Sequence, residues 1–177
     1  IFAPHGPEIQ GQSVVRAPVP GDEDGQLFRV YRPLKSMGYL EVSAYHIFYD
    51  LIDNFIEDTN VVGKNGQGAV QQILGATQYN HTFRGTSDIS TTTNARLVRM
   101  NPVEALLDEQ KGNSFVSRWG GELKRDNFNV RMMKNIGANR GKKIRHRKDL
   151  IGYEADVDFS SVVTRIMPQG FDGLLLP

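Results

Sequence analysis

The period at which apolar residues recur changes along this chain, and this change limits the folds open to it. Residues 26–32 and 39–44 alternate apolar with polar side chains, which predicts a hairpin of two strands. Residues 45–57 then carry apolar side chains at helical spacing, and alternation returns after Gly112. Strand groups on either side of a helical middle predict an α+β fold.

A second helix is expected after the one at residues 45–57. It spans residues 66–76 and would bury Val70, Ile73 and Leu74. The glycines of residues 63–68 (GKNGQG) match neither a Walker phosphate loop nor a dinucleotide-binding fingerprint. They are therefore interpreted as the start of this helix, and no cofactor is expected.

The clearest local signal is the sequence Asn101-Pro102-Val103-Glu104. Asn101 is a favoured N-cap residue, Pro102 occupies the first helical position, and Glu104 stands where a capping box requires it. We expect a third helix here, which ends with Gly112 as its left-handed C-cap. The residues that it would bury are Val103, Leu106 and Leu107.

Two stretches are expected to be mostly loop. Residues 1–25 are rich in proline and glycine and predict one edge strand at 13–16. Residues 77–94 are rich in threonine and serine and predict a second edge strand near Phe83.

The stretch around the only tryptophan, Trp119, predicts a structural hairpin. Residues 114–119 are interpreted as a strand that ends in a bend at Gly120-Gly121. Residues 122–124 and 128–133 would then pair across the intervening turn. The tryptophan side chain should be a buried anchor beside the bend.

The remainder of the chain is also expected to be β-rich. A turn is predicted at residues 137–141, followed by strands at 143–147, 152–157 and 161–167. The expected organisation is a hairpin with a helical part over residues 1–100, then a helix with a β-rich part over residues 101–177.

Glu122 and Asp126 lie near the turn at residues 125–127, and two carboxylates can act as the acid and the nucleophile of a glycosidase. Aspartate is common in turns, however, and an exposed glutamate on a strand needs no catalytic explanation. We therefore favour solvent-facing side chains over a catalytic pair. A hydrolase would draw on these two residues together with Asp156 and Asp158.

Neither a metal centre nor cysteine chemistry is predicted. The chain has no cysteine, which excludes disulfides and thiolate ligands. The histidines form no pattern in which several ligands converge on one ion. They are His5, His46, His81 and His146, of which His46 is interpreted as a packing or capping residue.

A basic run without an acidic residue extends over residues 127–148. Its side chains could contact phosphates, yet residues 129–148 lack the aromatic side chains that single-strand binders use. A solvated strand face or an ion-pair surface between subunits is favoured, and no specific nucleic-acid binding is expected. The basic residues are Arg131, Lys134, Arg140, Lys142, Lys143, Arg145, Arg147 and Lys148.

No apolar run reaches the roughly 20 residues that a membrane-spanning helix needs, so no membrane span is expected. The chain starts at Ile1 rather than methionine and ends in an apolar run at residues 174–177 (LLLP). We interpret the chain as an internal fragment of a longer protein.

Several segments resemble, in the same order, those of one known family. They are LFRVYRPLKS at 27–36, HIFYDLIDNFIEDTN at 46–60, NGQGAVQQILGATQY at 65–79 and the long stretch 113–170, which carries the specific Trp119-Gly120-Gly121-Glu122 sequence. The chain is similar, over residues 3–170, to the N-terminal region of phage minor structural proteins. This is the prophage tail-endopeptidase, or tail-associated lysin, family of long-tailed phages that infect Gram-positive bacteria.

The resemblance implies a phage tail-hub-like fold, with antiparallel β-barrel or sheet pieces and two to three inserted helices. It implies a non-enzymatic homotrimer in the virion, where a baseplate hub closes the distal end of the tail tube. The implied partners are the distal tail protein, the tape-measure protein and, indirectly, the host cell surface.

The family's peptidase or receptor-binding activity lies in a C-terminal portion that this chain lacks. The resemblance therefore supplies no catalytic, cofactor-binding or metal-binding residue. The alternative interpretation is a module of a tail endopeptidase that itself binds or hydrolyses the cell wall.

Overall fold

The computed structural model describes residues 8–138, 140–143, 145, 148 and 152–154. The chain divides into two compact units, Ile1–Ala138 and Asn139–Pro177. The helices and strands that the described residues form belong to the first unit. That unit is a mixed α+β structure with mostly antiparallel strands, which confirms the predicted fold class at this level.

Three antiparallel strands form the first sheet, in the order β1 (Val14–Val19), β2 (Asp22–Ser36) and β3 (Tyr39–His46). The predicted edge strand and the predicted hairpin are both confirmed. Gly38, at φ +87°, helps to make the turn between β2 and β3. Because β1 pairs with β2 only as far as Arg29, the hairpin continues beyond the end of β1.

The long helix predicted at residues 45–57 is wrong. A 3-10 helix spans Ile47–Asp53, and the strand β4 (Ile56–Lys64) begins soon after it. Nδ1 of His46 accepts a hydrogen bond from the Phe48 backbone at 3.0 Å and caps the 3-10 helix, as the capping interpretation of this histidine predicts. At the other end, Oδ1 of Asn54 accepts from the backbone N–H groups of Phe55 and Tyr79.

The apolar residues of this stretch serve two different elements. Ile47 and Leu51 are buried by the 3-10 helix, whereas Ile56 is buried as a strand residue opposite Met100. Phe55, which the helical pattern places on the buried side, is partly exposed. The spacing resembles that of one amphipathic helix because a helical turn and a strand follow each other closely.

β4 pairs with β6 (Thr93–Met100) in a two-stranded antiparallel sheet. Neither strand is predicted from the sequence. In β6, Ala95 and Leu97 are buried between exposed neighbours, an alternation that could have revealed the strand. Arg99, at φ +51°, interrupts this alternation near the end of the strand.

The helix α1 (Gly66–Gly75) confirms the helix predicted at 66–76 and its buried residues. Oδ1 of Asn65 accepts a hydrogen bond from the Gly68 backbone at 3.0 Å and so caps the helix. Gly66 allows the backbone of α1 to approach Ile89, because a Cβ at this position would lie 2.8 Å from the Ile89 side chain. The glycines therefore start a helix, as predicted, and Gly66 also lets it pack closely.

α2 (Pro102–Leu107) confirms the predicted start but not the predicted end. Oδ1 of Asn101 accepts from the Glu104 backbone at 2.9 Å. The helix stops after Leu107 because Asp108 takes an extended ψ of 97°, and Gly112 is not its left-handed C-cap. Leu106 is buried, whereas the two other predicted core residues of α2 are half-buried.

α3 (Phe115–Trp119) replaces the strand predicted at residues 114–119. The hydroxyl oxygen of Ser114 caps it by accepting from the Ser117 backbone, and Gly120 ends it at φ +74°. Phe115 and Trp119 stand four residues apart, which places both on one face of a helical turn. Their rings stack at 5.2 Å between centroids.

The third sheet has the order β5 (Arg84–Ser87), β8 (Asn129–Met133) and β7 (Glu122–Asp126). The antiparallel hairpin β7–β8 confirms the predicted pairing, and β5 confirms the predicted edge strand near Phe83. The pairing of β5 with β8 is parallel.

The core of the first unit combines side chains of the 3-10 helix, the second and third sheets and the three helices. Trp119 is part of it, with 5% of its surface exposed, which confirms the expected buried anchor. The indole Nε1 donates a hydrogen bond to the carbonyl oxygen of Lys64 at 2.9 Å. The tryptophan therefore ties α3 to the end of β4.

Several predictions fall beyond these elements. The strands predicted at 143–147, 152–157 and 161–167, and part of the turn predicted at 137–141, lie outside the described residues. The proposed division at residue 100 stays a prediction. In the structure, β6 and α2 on its two sides pack in the same unit.

Candidate interaction surface

The two carboxylates singled out in the sequence do not form a pair. Glu122 and Asp126 stand at opposite ends of β7, about 13 Å apart along a strand of this length. Oε2 of Glu122 accepts from the Ile136 backbone at 2.9 Å, and Asp126 forms an ion pair with Arg131. Glu122 is exposed, as expected, whereas Asp126 is half-buried. Asp156 and Asp158 lie outside the described residues.

The described histidines use their ring nitrogens for local structure. Nε2 of His81 lies 2.9 Å from the Leu74 carbonyl oxygen, and its Nδ1 accepts from the Phe83 backbone. His46 is likewise bonded at both nitrogens. Within the part of the chain that the structure describes, no group of three or more potential ligands could hold a metal ion. His5 and His146 lie outside that part.

The basic run divides between the two units. Arg131 belongs to the first unit and is neutralised by Asp126. In the second unit, an open cavity of about 450 Å³ is lined by the exposed residues Lys142, Lys143, Arg145 and Lys148, together with Gly141. Arg140 is also exposed, and Arg147 lies outside the described residues. A solvated basic face and an ion-pair surface between subunits both stay open as interpretations.

One face of the first sheet carries exposed apolar and aromatic side chains. Alternate residues of a strand share a face, so Tyr39 and Tyr45 lie on the same side of β3. Tyr31 joins them, because its ring stacks on that of Tyr45 at 4.4 Å between centroids. The outer face, as we call it, comprises Val14, Tyr31, Leu34, Tyr39 and Tyr45, with Met37 at the hairpin tip.

A cleft of about 250 Å³ lies beside the stacked tyrosines. Its polar side is organised by Arg29, whose Nε and Nη2 bind the carboxylate of Asp50 at 2.7–3.0 Å. This bond raises the pKa of Arg29 above its usual value and keeps the guanidinium charged. The tyrosine cleft, as we call it, is lined by residues that include Gln12, Arg29, Tyr31, Tyr45, Asp50 and Asp53.

A buried polar junction connects the first sheet to the β7–β8 turn. Oε1 of Gln26 accepts from the Asn127 backbone at 2.7 Å, and Oδ1 of Asn127 accepts from the Leu27 backbone at 2.8 Å. Nε2 of His46 lies 3.0 Å from the same Gln26 oxygen. Because Nδ1 of His46 is an acceptor, the neutral ring carries its proton on Nε2 and donates it to Gln26.

This junction is absent from the sequence-based predictions. Asn127 is interpreted there only as a turn residue, and its φ of +51° agrees with that role. Its contacts with the first sheet join residues about a hundred positions apart. A local pattern carries no information on such a pairing.

We expect the free energy of unfolding to fall as the pH drops below about 6.5, the ordinary pKa of histidine. Burial lowers the pKa of His46, and Arg125 adds to this effect against an opposite pull from Asp126. Since the unfolded chain then binds the proton more readily, its population grows as the pH falls from 6.5 towards the lower folded-state pKa. Protonation also removes the acceptor that caps the 3-10 helix.

Urea denaturation at about pH 7.5 and about pH 5.5 measures this effect through the linkage between proton binding and stability. The variant His46→Gln cannot titrate, so the difference between the two pH values should shrink. A difference of the same size in the variant would show that other groups cause it.

No protein-family model, curated protein or solved structure matches this chain. The similarity to tail-hub proteins therefore rests on the quoted segments and stays a prediction. Among the described residues, none of the helices combines the length and the apolar character needed to cross a membrane.

Proposed function

We propose that this chain is a non-enzymatic structural module of the hub that closes the distal tail tube of a long-tailed phage. In this role it forms a homotrimer in the virion and contacts the distal tail protein and the tape-measure protein. Contact with the host cell surface is indirect. The ordered similarity of several segments to this family supports the proposal.

The exposed apolar and aromatic side chains of the outer face support an assembly role. Exposed apolar patches on a folded protein mark interaction sites, and tyrosine and methionine are enriched in interfaces. Leu34, Met37 and Tyr39 stand on the part of the hairpin that extends past β1, where a partner can reach them. A cyclic trimer joins two different patches of each subunit, so one such hairpin per chain is sufficient.

The alternative of a wall-hydrolysing module receives less support from the geometry. Hydrolysis by two carboxylates needs both in one cleft. Glu122 and Asp126 are separated by the length of β7. Asp50 and Asp53 do line a common cleft, but Arg29 occupies both oxygens of Asp50. Hydrolysis stays a prediction that would rest on residues outside the described part of the chain.

Size-exclusion chromatography with light scattering over a range of concentrations tests the assembly role. We expect a species of about 59 kDa, three times the 19.8 kDa of one chain. The double variant Leu34→Glu/Tyr39→Glu should shift the species to the monomer mass, because it places charges at the exposed hairpin.

The variant Val98→Glu is the matched control, since Val98 is an exposed strand residue of similar accessibility in the second sheet. It should leave the mass unchanged. A monomer at all concentrations in the unmodified chain would contradict the proposal, and so would an equal loss of mass in both variants.

A further inference from the structure

The tyrosine cleft presents aromatic surface whose rings pack against one another. Tyr31 and Tyr45 stack on each other, yet they expose 52% and 58% of their surfaces. The ring of Tyr49 packs edge-on to Tyr45 at 6.1 Å, and the guanidinium of Arg125 lies over the Tyr49 ring at 5.6 Å. The tyrosine side chains would lose little conformational entropy when a ligand packs on them, because the rings already restrain one another.

Polar groups with unused hydrogen-bonding capacity face the same cleft. Nε and Nη2 of Arg29 bind Asp50 and its Nη1 donates to the Gln12 carbonyl at 2.9 Å, which leaves a second N–H on each Nη. Within the described part of the chain, the carboxylate of Asp53 and the side-chain amide of Gln12 form no hydrogen bond. The cleft therefore offers donors and acceptors beside an aromatic surface.

The charges of the cleft favour an uncharged ligand. Asp50 is neutralised by Arg29, and the positive charge of Arg125, over Tyr49, offsets that of the Asp53 carboxylate. Because these charges balance, neither an anionic nor a strongly cationic group would meet an uncompensated charge of opposite sign. A phosphate, sulfate or carboxylate group in the cleft would also lie close to Asp53.

A sugar ring combines the two properties that the cleft can satisfy. Its hydroxyl groups each donate and accept hydrogen bonds, and the C–H groups on its faces form apolar surface that packs on aromatic rings. The volume of about 250 Å³ is below the roughly 300 Å³ at which pockets for drug-sized ligands begin. It suits a single ring of an oligosaccharide, bound at the residues that line the cleft.

We propose that the tyrosine cleft binds a neutral oligosaccharide. One sugar ring packs against Tyr31 and Tyr45, and its hydroxyls bond to Asp53, Gln12 and the free N–H groups of Arg29. The site shares Tyr31 and Tyr45 with the outer face, whereas the proposed assembly contact lies at Leu34, Met37 and Tyr39. It requires neither a trimer nor a catalytic pair.

Isothermal titration calorimetry on the full chain tests the site with chitohexaose, cellohexaose and maltohexaose as neutral probes. We expect at least one of them to bind with a Kd below about 1 mM. Hyaluronan hexasaccharide, which carries carboxylates, should bind at least about ten-fold more weakly because of Asp53.

Two matched pairs of variants locate the binding. Tyr45→Ala should weaken the best probe at least about ten-fold, whereas Tyr39→Ala, on the same face but outside the cleft, should change the Kd by less than about two-fold. Asp53→Asn should weaken binding several-fold, whereas Glu57→Gln, another exposed acidic residue, should not. The Asp53 pair changes exposed carboxylates only, so it probes the site without disturbing the core.

The site is overturned if none of the neutral probes binds, if hyaluronan binds as well as they do, or if Tyr39→Ala weakens binding as much as Tyr45→Ala. None of these results bears on the mass measured by light scattering. Conversely, a monomeric chain that binds a neutral hexasaccharide would support the proposed oligosaccharide site and contradict the proposed homotrimer.

Discussion

Replacing Trp119 by alanine is expected to lower the free energy of unfolding by about 3–5 kcal/mol, the range typical of large buried aromatic residues. The side chain is almost fully buried, stacks on Phe115 and fills the space between α3 and the second sheet. Alanine would leave a cavity and would also leave the Lys64 carbonyl without the indole donor. Urea denaturation followed by circular dichroism measures the loss.

Trp119→Phe is the matched control because it keeps an aromatic ring and removes the N–H group. It should cost about 1–2 kcal/mol, mainly for the lost hydrogen bond to Lys64. If the alanine variant were no less stable than the phenylalanine variant, Trp119 would not be the packing anchor that its burial indicates.

Gly121→Ala is expected to cost about 2–6 kcal/mol, the sum of backbone strain and overpacking. Gly121 takes a φ of +92°, which side chains disfavour. A Cβ there would lie 2.7 Å from the Met133 carbonyl oxygen and 2.6 Å from Cδ1 of Ile89. The Met133 backbone belongs to β8 and pairs with Glu122, so it cannot shift without disturbing the third sheet.

Its neighbour provides a control that separates the two causes. Gly120 also has a positive φ, +74°, but a Cβ at that position meets nothing within 4 Å. Gly120→Ala should therefore cost only the strain, about 1–3 kcal/mol. Equal losses in the two variants would mean that the close approach to Met133 contributes nothing.

Gly120 and Gly121 form the bend that joins the helix α3 to the strand β7. The predicted bend is confirmed, but it follows a helical turn rather than a strand. Gly120 ends α3 directly after the buried Trp119, and Gly121 lets β7 start close against β8. Alternation of apolar residues over 114–119 could not distinguish these cases, because a segment of this length is too short for a period to be decisive.

Local chemistry is predictable where a side chain bonds the backbone only a few residues away. Asn65 and Asn101 cap α1 and α2 through hydrogen bonds that span three positions. Gly38 and Asn127 occupy turns that need a positive φ. These conformations depend on neighbours in the chain, and so the pattern of residue types is sufficient to predict them.

Pairing between strands that are distant in the sequence is not predictable from local patterns. Ile56 follows the helical spacing of the residues before it, yet it is buried opposite Met100 in the second sheet. The backbone N–H and C=O groups of β4 find their partners in β6, which satisfies them as well as a helix would. The choice between helix and strand is therefore made by a segment far along the chain.

The tyrosine cleft also depends on contacts between residues that are distant in the sequence. Alternation in β3 predicts that Tyr39 and Tyr45 share a face, but the stacking of Tyr31 on Tyr45 needs the irregular pairing between Val30 and Arg32. The cleft also needs the bond from Arg29 to Asp50, which joins a strand to the 3-10 helix. Neither contact has a signature in the spacing of residues.

The sequence by itself determined the α+β class, the N-cap of α2, the β2–β3 and β7–β8 hairpins and the burial of Trp119. Each of these follows from residue type and from interactions between near neighbours. Only the tertiary structure decided that residues 45–57 divide between a 3-10 helix and a strand, and that Arg29, Asp53 and the tyrosines line one cleft. The physical reason is that hydrogen bonding and burial between distant segments outweigh local preferences of less than about 1 kcal/mol per residue.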